Sequence, residues 1–223
     1  MNPWLHIWTK PRDTIASIVA SNPNRSLWLL ATIYGFLTLL NLFQTFSFGS
    51  MIGALPILFV ALIVSPFWGH ITFSVWSWVV WKTGKLLKGR GDFLSIRAAF
   101  SWSCVPLVLN VFLWLFLVFF FGSALFHDAN EGHLLSASQT ALLFFVLIAK
   151  VVFAIWSLVI YINALAEVQG YSILRAILNI VITWILIGLV LGGLWYLFLL
   201  ALGVSADHAK TAVYLIEPLK VWR

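Results

Sequence analysis

The sequence predicts an all-α fold: a polytopic membrane bundle of five transmembrane helices, with two repeated helical hairpins and a short interfacial helix at the N-terminus. Three observations predict it. First, 62% of the 223 residues are hydrophobic and 9% are charged, whereas a soluble domain is about 45–50% apolar and about 25% charged. With a mean hydropathy of +1.03, lipid must solvate most of the surface. Second, five stretches reach the roughly 20 apolar residues that cross a hydrocarbon core of about 30 Å: 27–46, 57–81, 99–121, 140–162 and 176–202. Third, these runs are continuous and lack the alternation of a barrel strand. The composition excludes a soluble enzyme, a nucleic-acid-binding domain and a disordered tail.

Residues 1–26 form a cytosolic or interfacial segment. It has no uninterrupted apolar core and carries Lys10, Arg12 and Asp13, so it does not read as a signal peptide. Thr9 followed by Pro11 marks a helix start. Ile15, Ile18 and Val19 then share one face near Trp4 and Trp8. That pattern fits a helix lying on the membrane surface or one packed on its own bundle. Residues 27–202 are the membrane domain. Its second span can begin as early as Met51, with Pro56 at its mouth. Pro66 and Pro106 are expected to interrupt the second and third spans and to free backbone carbonyls. Gly188 and Gly192 form a small-xxx-small pair that admits a neighbouring helix. Asn41, Gln44, Asn110, Asn163 and Asn179 are expected to hydrogen-bond between helices. Residues 203–223 form a C-terminal interfacial tail.

Orientation follows from Lys and Arg. Nine of the twelve that lie outside the spans fall on one side: Lys10, Arg12, Arg25, Lys82, Lys85, Lys88, Arg90, Arg97 and Arg175. The loops at 47–56 and 122–139 contain none. The positive-inside rule then places the N-terminus in the cytoplasm and the C-terminus outside, as in a bacterial cytoplasmic (inner) membrane. Trp4, Trp8, Trp28, Trp81, Trp195 and Trp222 lie near span ends, where indoles favour the interface.

The chain also repeats itself. Residues 73–81 (FSVWSWVVW) and 153–161 (FAIWSLVIY) are identical at four of nine positions. Each runs into a turn, through Gly91 to Arg97-Ala98 and through Gly170 to Arg175-Ala176. Spans two and three thus read as a parallel copy of spans four and five. A shift of 80 residues places His70 on Lys150. Apart from tyrosines and Cys104, these are the ionisable groups deep in the spans, about 15–20 Å from the outer end. His70, Ser74, Ser77 and Trp81 form one stripe, and Lys150, Ala154, Ser157 and Tyr161 form its counterpart. A mid-membrane lysine costs about 2.5–3.5 kcal/mol, so it is neutral, snorkelling, hydrated or bound to an anion. A lipid or anion site at His70, Lys150, Ser74, Ser77, Ser157 and Tyr161 follows from one of these options. A snorkelling or deprotonated lysine, with His70 bonded to backbone, follows from the others.

Signals for catalysis are poor. The segment from Gly84 to Arg90 has the glycines and lysines of a phosphate loop but lacks its Gly-Lys-Ser/Thr ending. It reads as a basic turn facing the inner leaflet, carrying Lys82, Lys85, Lys88, Arg90 and Arg97. Against Asp92 these give a net charge of +4. His127, Asp128, Glu131 and His133 in an outer loop have metal-ligand chemistry, but a short hydrophilic loop rarely holds a metal. The single Cys104 excludes an internal disulfide and a cysteine zinc site. No metal, cofactor or catalytic residue is expected.

Several stretches together resemble the Yip-domain family of Ypt/Rab-interacting-protein-like membrane proteins, in its prokaryotic branch. They are Asn2-Pro3-Trp4 with Trp8-Thr9-Lys10-Pro11-Arg12; Gly84-Lys85-Leu86-Leu87 with Gly89; Arg97-Ala98-Ala99-Phe100-Ser101-Trp102 leading to Pro106; and Ala166-Glu167-Val168-Gln169-Gly170-Tyr171-Ser172 with Arg175-Ala176. The resemblance implies a five-span bundle with a cytosolic N-terminus and no catalytic residues. Eukaryotic relatives are associated with prenylated Rab-type GTPases. The sequence does not contain their Asp-Leu-Tyr-Gly-Pro segment or long soluble N-terminal region, which puts the Rab-type GTPase partner in doubt here. The expected function is non-enzymatic: organising membrane lipid, especially anionic phospholipid, or a membrane-protein partner, which includes a second copy of the chain. The alternative is a transporter or scramblase moving anionic lipid or ions between the hairpin repeats.

Overall fold

A computed structural model describes residues 2–127 and 136–201. Among the described residues the secondary structure is helical, with no strand. The helices are α1 (Pro3–His6), α2 (Pro11–Ser21), α3 (Leu27–Thr45), α4 (Ala54–Leu86), α5 (Phe93–Ser103), α6 (Val108–Phe121), α7 (Ala137–Gln169) and α8 (Ile173–Ala201). A short 3₁₀ turn at Val105–Leu107 joins α5 to α6, and another, Gly122–Phe126, follows α6. Five helical runs are long and apolar enough to cross a membrane: α3, α4, the α5–α6 run, α7 and α8. The chain is a multi-pass integral membrane protein. It divides into two compact units, Met1–Asn179 and Ile180–Arg223. The second contains the remainder of α8 among its described residues. A Cβ on Gly188 or Gly192 would meet open space there.

The helices outlast the apolar runs that announce them. α4 and α7 each have 33 residues, because lysines and glutamates at their ends favour helix as well as leucine does. α1 is capped by Asn2, whose side chain accepts the Trp4 amide at 3.1 Å. α2 starts at Pro11, whose fixed φ suits a first helical position. Its apolar stripe faces inward. Ile15 and Ile18, with Ile7, pack among Ala98, Ala99 and Trp102 of α5 and Ile160 and Ala164 of α7. Trp4 meets Trp102 edge-on at 5.3 Å. Of the two readings open for this segment, packing on the bundle describes its buried side chains.

α3 and α4 cross at a pair of small-residue steps. A Cβ on Gly35 would collide with the Ser65 carbonyl, and one on Gly69 with the Ala31 carbonyl. Ala31-xxx-Gly35 and Ser65-xxx-Gly69 thus make a close approach between α3 and α4 that the sequence analysis did not single out.

The two prolines differ. Pro66 does not interrupt its span: α4 runs straight through it. The ring removes the amide that would bond the Leu62 carbonyl, and the Ser65 hydroxyl donates to that oxygen instead, at 2.9 Å. Pro106 does change the helix, into the 3₁₀ turn. There the Leu107 amide bonds Cys104 rather than Ser103, and the Ser157 hydroxyl of α7 donates to the Ser103 carbonyl at 2.7 Å.

A second core surrounds Trp114, Phe126, Leu37, Leu40, Ile57 and Val146 at the end away from α1 and α2. The five amides divide. Gln44 reaches the Leu125 carbonyl at 3.1 Å and Asn179 reaches α4. Asn41 and Asn163 instead bond carbonyls of their own helices, the cheapest partners in an apolar span. The buried Oδ1 of Asn110 has no hydrogen-bond partner. Asp128, Glu131, His133 and the tail at 203–223 lie outside the described residues.

Candidate functional site: the basic end of the bundle

The basic turn is built by the way α4 ends. The Gly89 amide bonds the Gly84 carbonyl at 2.8 Å and the Lys88 amide bonds that of Lys85 at 3.1 Å. These are the paired bonds of a Schellman ending. That ending needs a left-handed residue, and Lys88 supplies it at φ +63°. α7 ends the same way: the Tyr171 and Gly170 amides bond the Ala166 and Glu167 carbonyls, both at 3.1 Å. There the left-handed residue is Gly170, at φ +67°, where the conformation carries no Cβ penalty.

Gln169, the last residue of α7, clasps the α4 turn. Its carbonyl accepts the Arg90 amide at 2.9 Å, and its side-chain Oε1 accepts the Gly91 amide at 3.2 Å. The side chain is 1% exposed and lies in a cradle of glycines: a Cβ on Gly84 or Gly89 would run into it. Beside it, Thr83 donates its hydroxyl to Asn179 Oδ1. Asn179 Nδ2 donates to the Val80 carbonyl at 3.3 Å and to the Tyr171 hydroxyl at 2.6 Å. Burial pushes the Tyr171 phenol up to about 12, against the pull of the Asn179 bond. This polar knot ties α4, α7 and the first turns of α8 together.

The cations stand on this scaffold. Lys82 places Nζ 4.7 Å from the Trp81 ring centre and 5.6 Å from that of Trp78, within cation–π range. Lys85, Lys88 and Arg90 are exposed. Asp92 caps α5, accepting the Ser95 amide at 3.0 Å. Hydrogen bonding from Ser95 holds its carboxyl below the usual range, with burial opposing. Arg97 stands apart from the turn: Nη2 donates to Asn24 Oδ1 at 2.9 Å, and the guanidinium lies over Phe93 at 5.2 Å.

The polar groups within the spans have separate neighbours. His70 stacks on Trp28 of α3, ring centres 4.4 Å apart, and its buried Nδ1 has no hydrogen-bond partner. Lys150 lies over Trp114 of α6, with Nζ 3.7 Å from the ring centre. Trp114 belongs to the core around Leu37, nine residues or about 13 Å along α3 from Trp28. Tyr161 accepts the Trp76 indole N–H at 3.0 Å. Ser157 bonds the Ser103 carbonyl, Ser77 is buried without a hydrogen-bond partner, and Ser74 is half-buried. The structure thus brings Lys82, Lys85, Lys88 and Arg90 together and gives His70 and Lys150 different aromatic contacts. Sequence reasoning did not find the Gln169 clasp. The available signal was the run Gly84, Gly89, Gly91, three residues without side chains beside one polar turn.

A multi-pass helical protein with a clasped, cationic helix turn is the class this architecture defines. The chain matches the Yip1 domain over residues 5–194 and belongs to that family. No curated protein and no solved structure matches it.

Proposed function

We propose that this Yip1-domain protein is non-enzymatic and uses its basic turn to gather anionic phospholipid, organising lipid or a membrane-protein partner at that face. The observation that carries the reading is Lys88. A non-glycine residue in the left-handed region costs roughly 1–2 kcal/mol, and strain held in place by its surroundings points to function. Here the Gln169 clasp holds it, and the result is an exposed cation between Lys85 and Arg90. Each such cation near anionic headgroups contributes about 1 kcal/mol. The bias of Lys and Arg supports an orientation with the turn and N-terminus inside and the C-terminus outside. The identities between residues 73–81 and 153–161 support duplication of the hairpin.

The test is lipid retention. The full chain purified in mild detergent is expected to retain anionic phospholipid. Replacement of Lys82, Lys85, Lys88 and Arg90 by Gln is expected to reduce it, with the thermal midpoint unchanged. Equal lipid content in the two proteins refutes the reading. Movement of labelled lipid across liposomes by the wild-type chain would replace it with the transport alternative.

A further inference from the structure

An apolar groove of about 500 Å³ runs along α3 and α4 beside α6, lined by Thr32, Phe36, Leu58, Phe59, Leu62 and Leu115 among others. That is within the range of small-molecule sites, about 300–1,000 Å³. Helical spacing carries its walls to one end. On α3 the row Phe36, Thr32 leads four residues further to Trp28; on α4 the row Leu55, Phe59, Leu62 leads through Pro66 to His70. Trp28 and His70 are stacked there with their planes 17° apart. Beyond the groove, four residues past Thr32 and eight past Leu62, these rows lead to an indole–imidazole pair whose indole is 59% exposed.

Cations gather at the same end. Arg97 is tied to the loop that leads into α3: its Nη2 donates to Asn24 Oδ1 at 2.9 Å, four residues before Trp28. Arg25, next to Asn24, is exposed. Its carbonyl accepts the Trp102 indole N–H at 3.2 Å, so the loop carrying it is fixed to α5. A guanidinium fork matches phosphate oxygens two at a time, and an exposed indole beside it suits the headgroup level of a leaflet.

An apolar groove whose walls lead toward a cluster of cations has the charge pattern of a single-headed anionic amphiphile. We propose that it is a discrete phospholipid site, with the headgroup phosphate at Arg97, Arg25 and His70 and one acyl chain along the groove. The site shares Arg97 with the cations first read as the basic turn but uses none of Lys82, Lys85, Lys88 and Arg90, so it goes beyond the reading above and stands or falls separately. A soluble phosphate would share the chemistry of the mouth but gain nothing from the groove.

Native mass spectrometry of the full chain, exchanged into phosphatidylglycerol, tests it. The wild type is expected to keep one tightly held lipid, which inorganic phosphate does not displace. Arg97→Gln and His70→Gln, which remove charged or polar partners of the phosphate, are expected to lower its occupancy about ten-fold or more. Leu62→Trp, which fills the groove and leaves the cations intact, is expected to do the same. Replacement of Lys82, Lys85, Lys88 and Arg90 by Gln leaves this lipid in place and strips only the weaker ones. Retention in Arg97→Gln, or unchanged occupancy in a folded Leu62→Trp, overturns the site. Displacement by inorganic phosphate overturns its assignment to lipid. If Arg97→Gln does not fold, Leu62→Trp and His70→Gln decide on their own.

Discussion

The Gln169 carbonyl accepts the Arg90 amide at 2.9 Å, joining the end of α7 to a turn 79 positions earlier in the chain. The side chain of the same residue holds the next amide, that of Gly91. Gln169→Leu leaves the Gly91 N–H buried without its acceptor. A loss of about 1–3 kcal/mol is expected, read as a lower thermal midpoint in detergent. Trypsin should also cut faster after Lys88 and Arg90. Unchanged melting and cutting would show that the clasp holds nothing.

Lys88→Gly separates fold from function. Glycine removes the Cβ penalty at φ +63° and stabilises the ending of α4 by roughly 1 kcal/mol. The same change removes one cation from the turn. The variant is expected to melt higher and retain less anionic phospholipid. A variant that melts lower would show that Lys88 makes a contact outweighing its strain.

Gly69→Val tests the crossing of α3 and α4. Its side chain would occupy the position of the Ala31 carbonyl, and overpacking typically costs about 1–3 kcal/mol, more where backbone must move. A severe loss of folded protein is expected. Gly192→Val, with open space around its Cβ, is expected to be tolerated. Comparing yields of monodisperse protein checks both.

Lys150 contacts a tryptophan face inside a span. Lys150→Met keeps the length of the side chain and removes the charge that lipid penalises. Its thermal midpoint is expected to equal or exceed the wild type, with phospholipid retention unchanged. Trp114→Leu, by contrast, empties volume in a core where Trp114 is 1% exposed, and a cost of about 3 kcal/mol is expected. Loss of bound lipid in Lys150→Met would support the mid-membrane anion site.

Tyr171 gives a pH dependence. Its pKa is raised to about 12, above the ordinary value of about 10. The fold favours the neutral phenol, so its contribution is complete below pH about 10 and is lost as pH rises through about 12. Over that window the wild-type midpoint is expected to fall further than that of Tyr171→Phe. Parallel curves would remove Tyr171 from the knot.

The five crossings were legible because runs of some twenty apolar residues have no other use. Helix ends were not, because α4 and α7 continue on lysine, threonine and glutamate that favour helix without being apolar. The close approach of α3 and α4 was not legible for a related reason: Gly188 and Gly192 make a conspicuous pair within one helix. The pairs that matter, Ala31 with Gly35 and Ser65 with Gly69, mix residue types and acquire meaning only when two helices meet. Asn179 was expected to bond across helices and does. Gln169 was hidden because its partners lie almost eighty positions away and are backbone amides, which carry no residue identity. The basic turn could be read as a charge pattern, but not the bond that sets its shape.

The unequal lengths of α3 and α4 have a consequence for the bilayer itself. Exposed apolar side chains run from Trp28 to Phe46 along α3 and its C-cap, and nearly continuously from Leu55 to Trp78 on α4, with Leu86 exposed two turns further on at the basic turn. At helical rise these belts measure about 27 Å and about 35 Å. Lipid around the molecule therefore cannot have one thickness. Beside α3 the leaflet bearing the Trp28 end must sink or the helices must tilt, and each ångström of mismatch costs a fraction of a kcal/mol. The step lies where Arg25 and Arg97 stand, so a headgroup drawn down toward them relieves the thickness mismatch, and a membrane already thinned or bent should receive this protein more readily than a flat one.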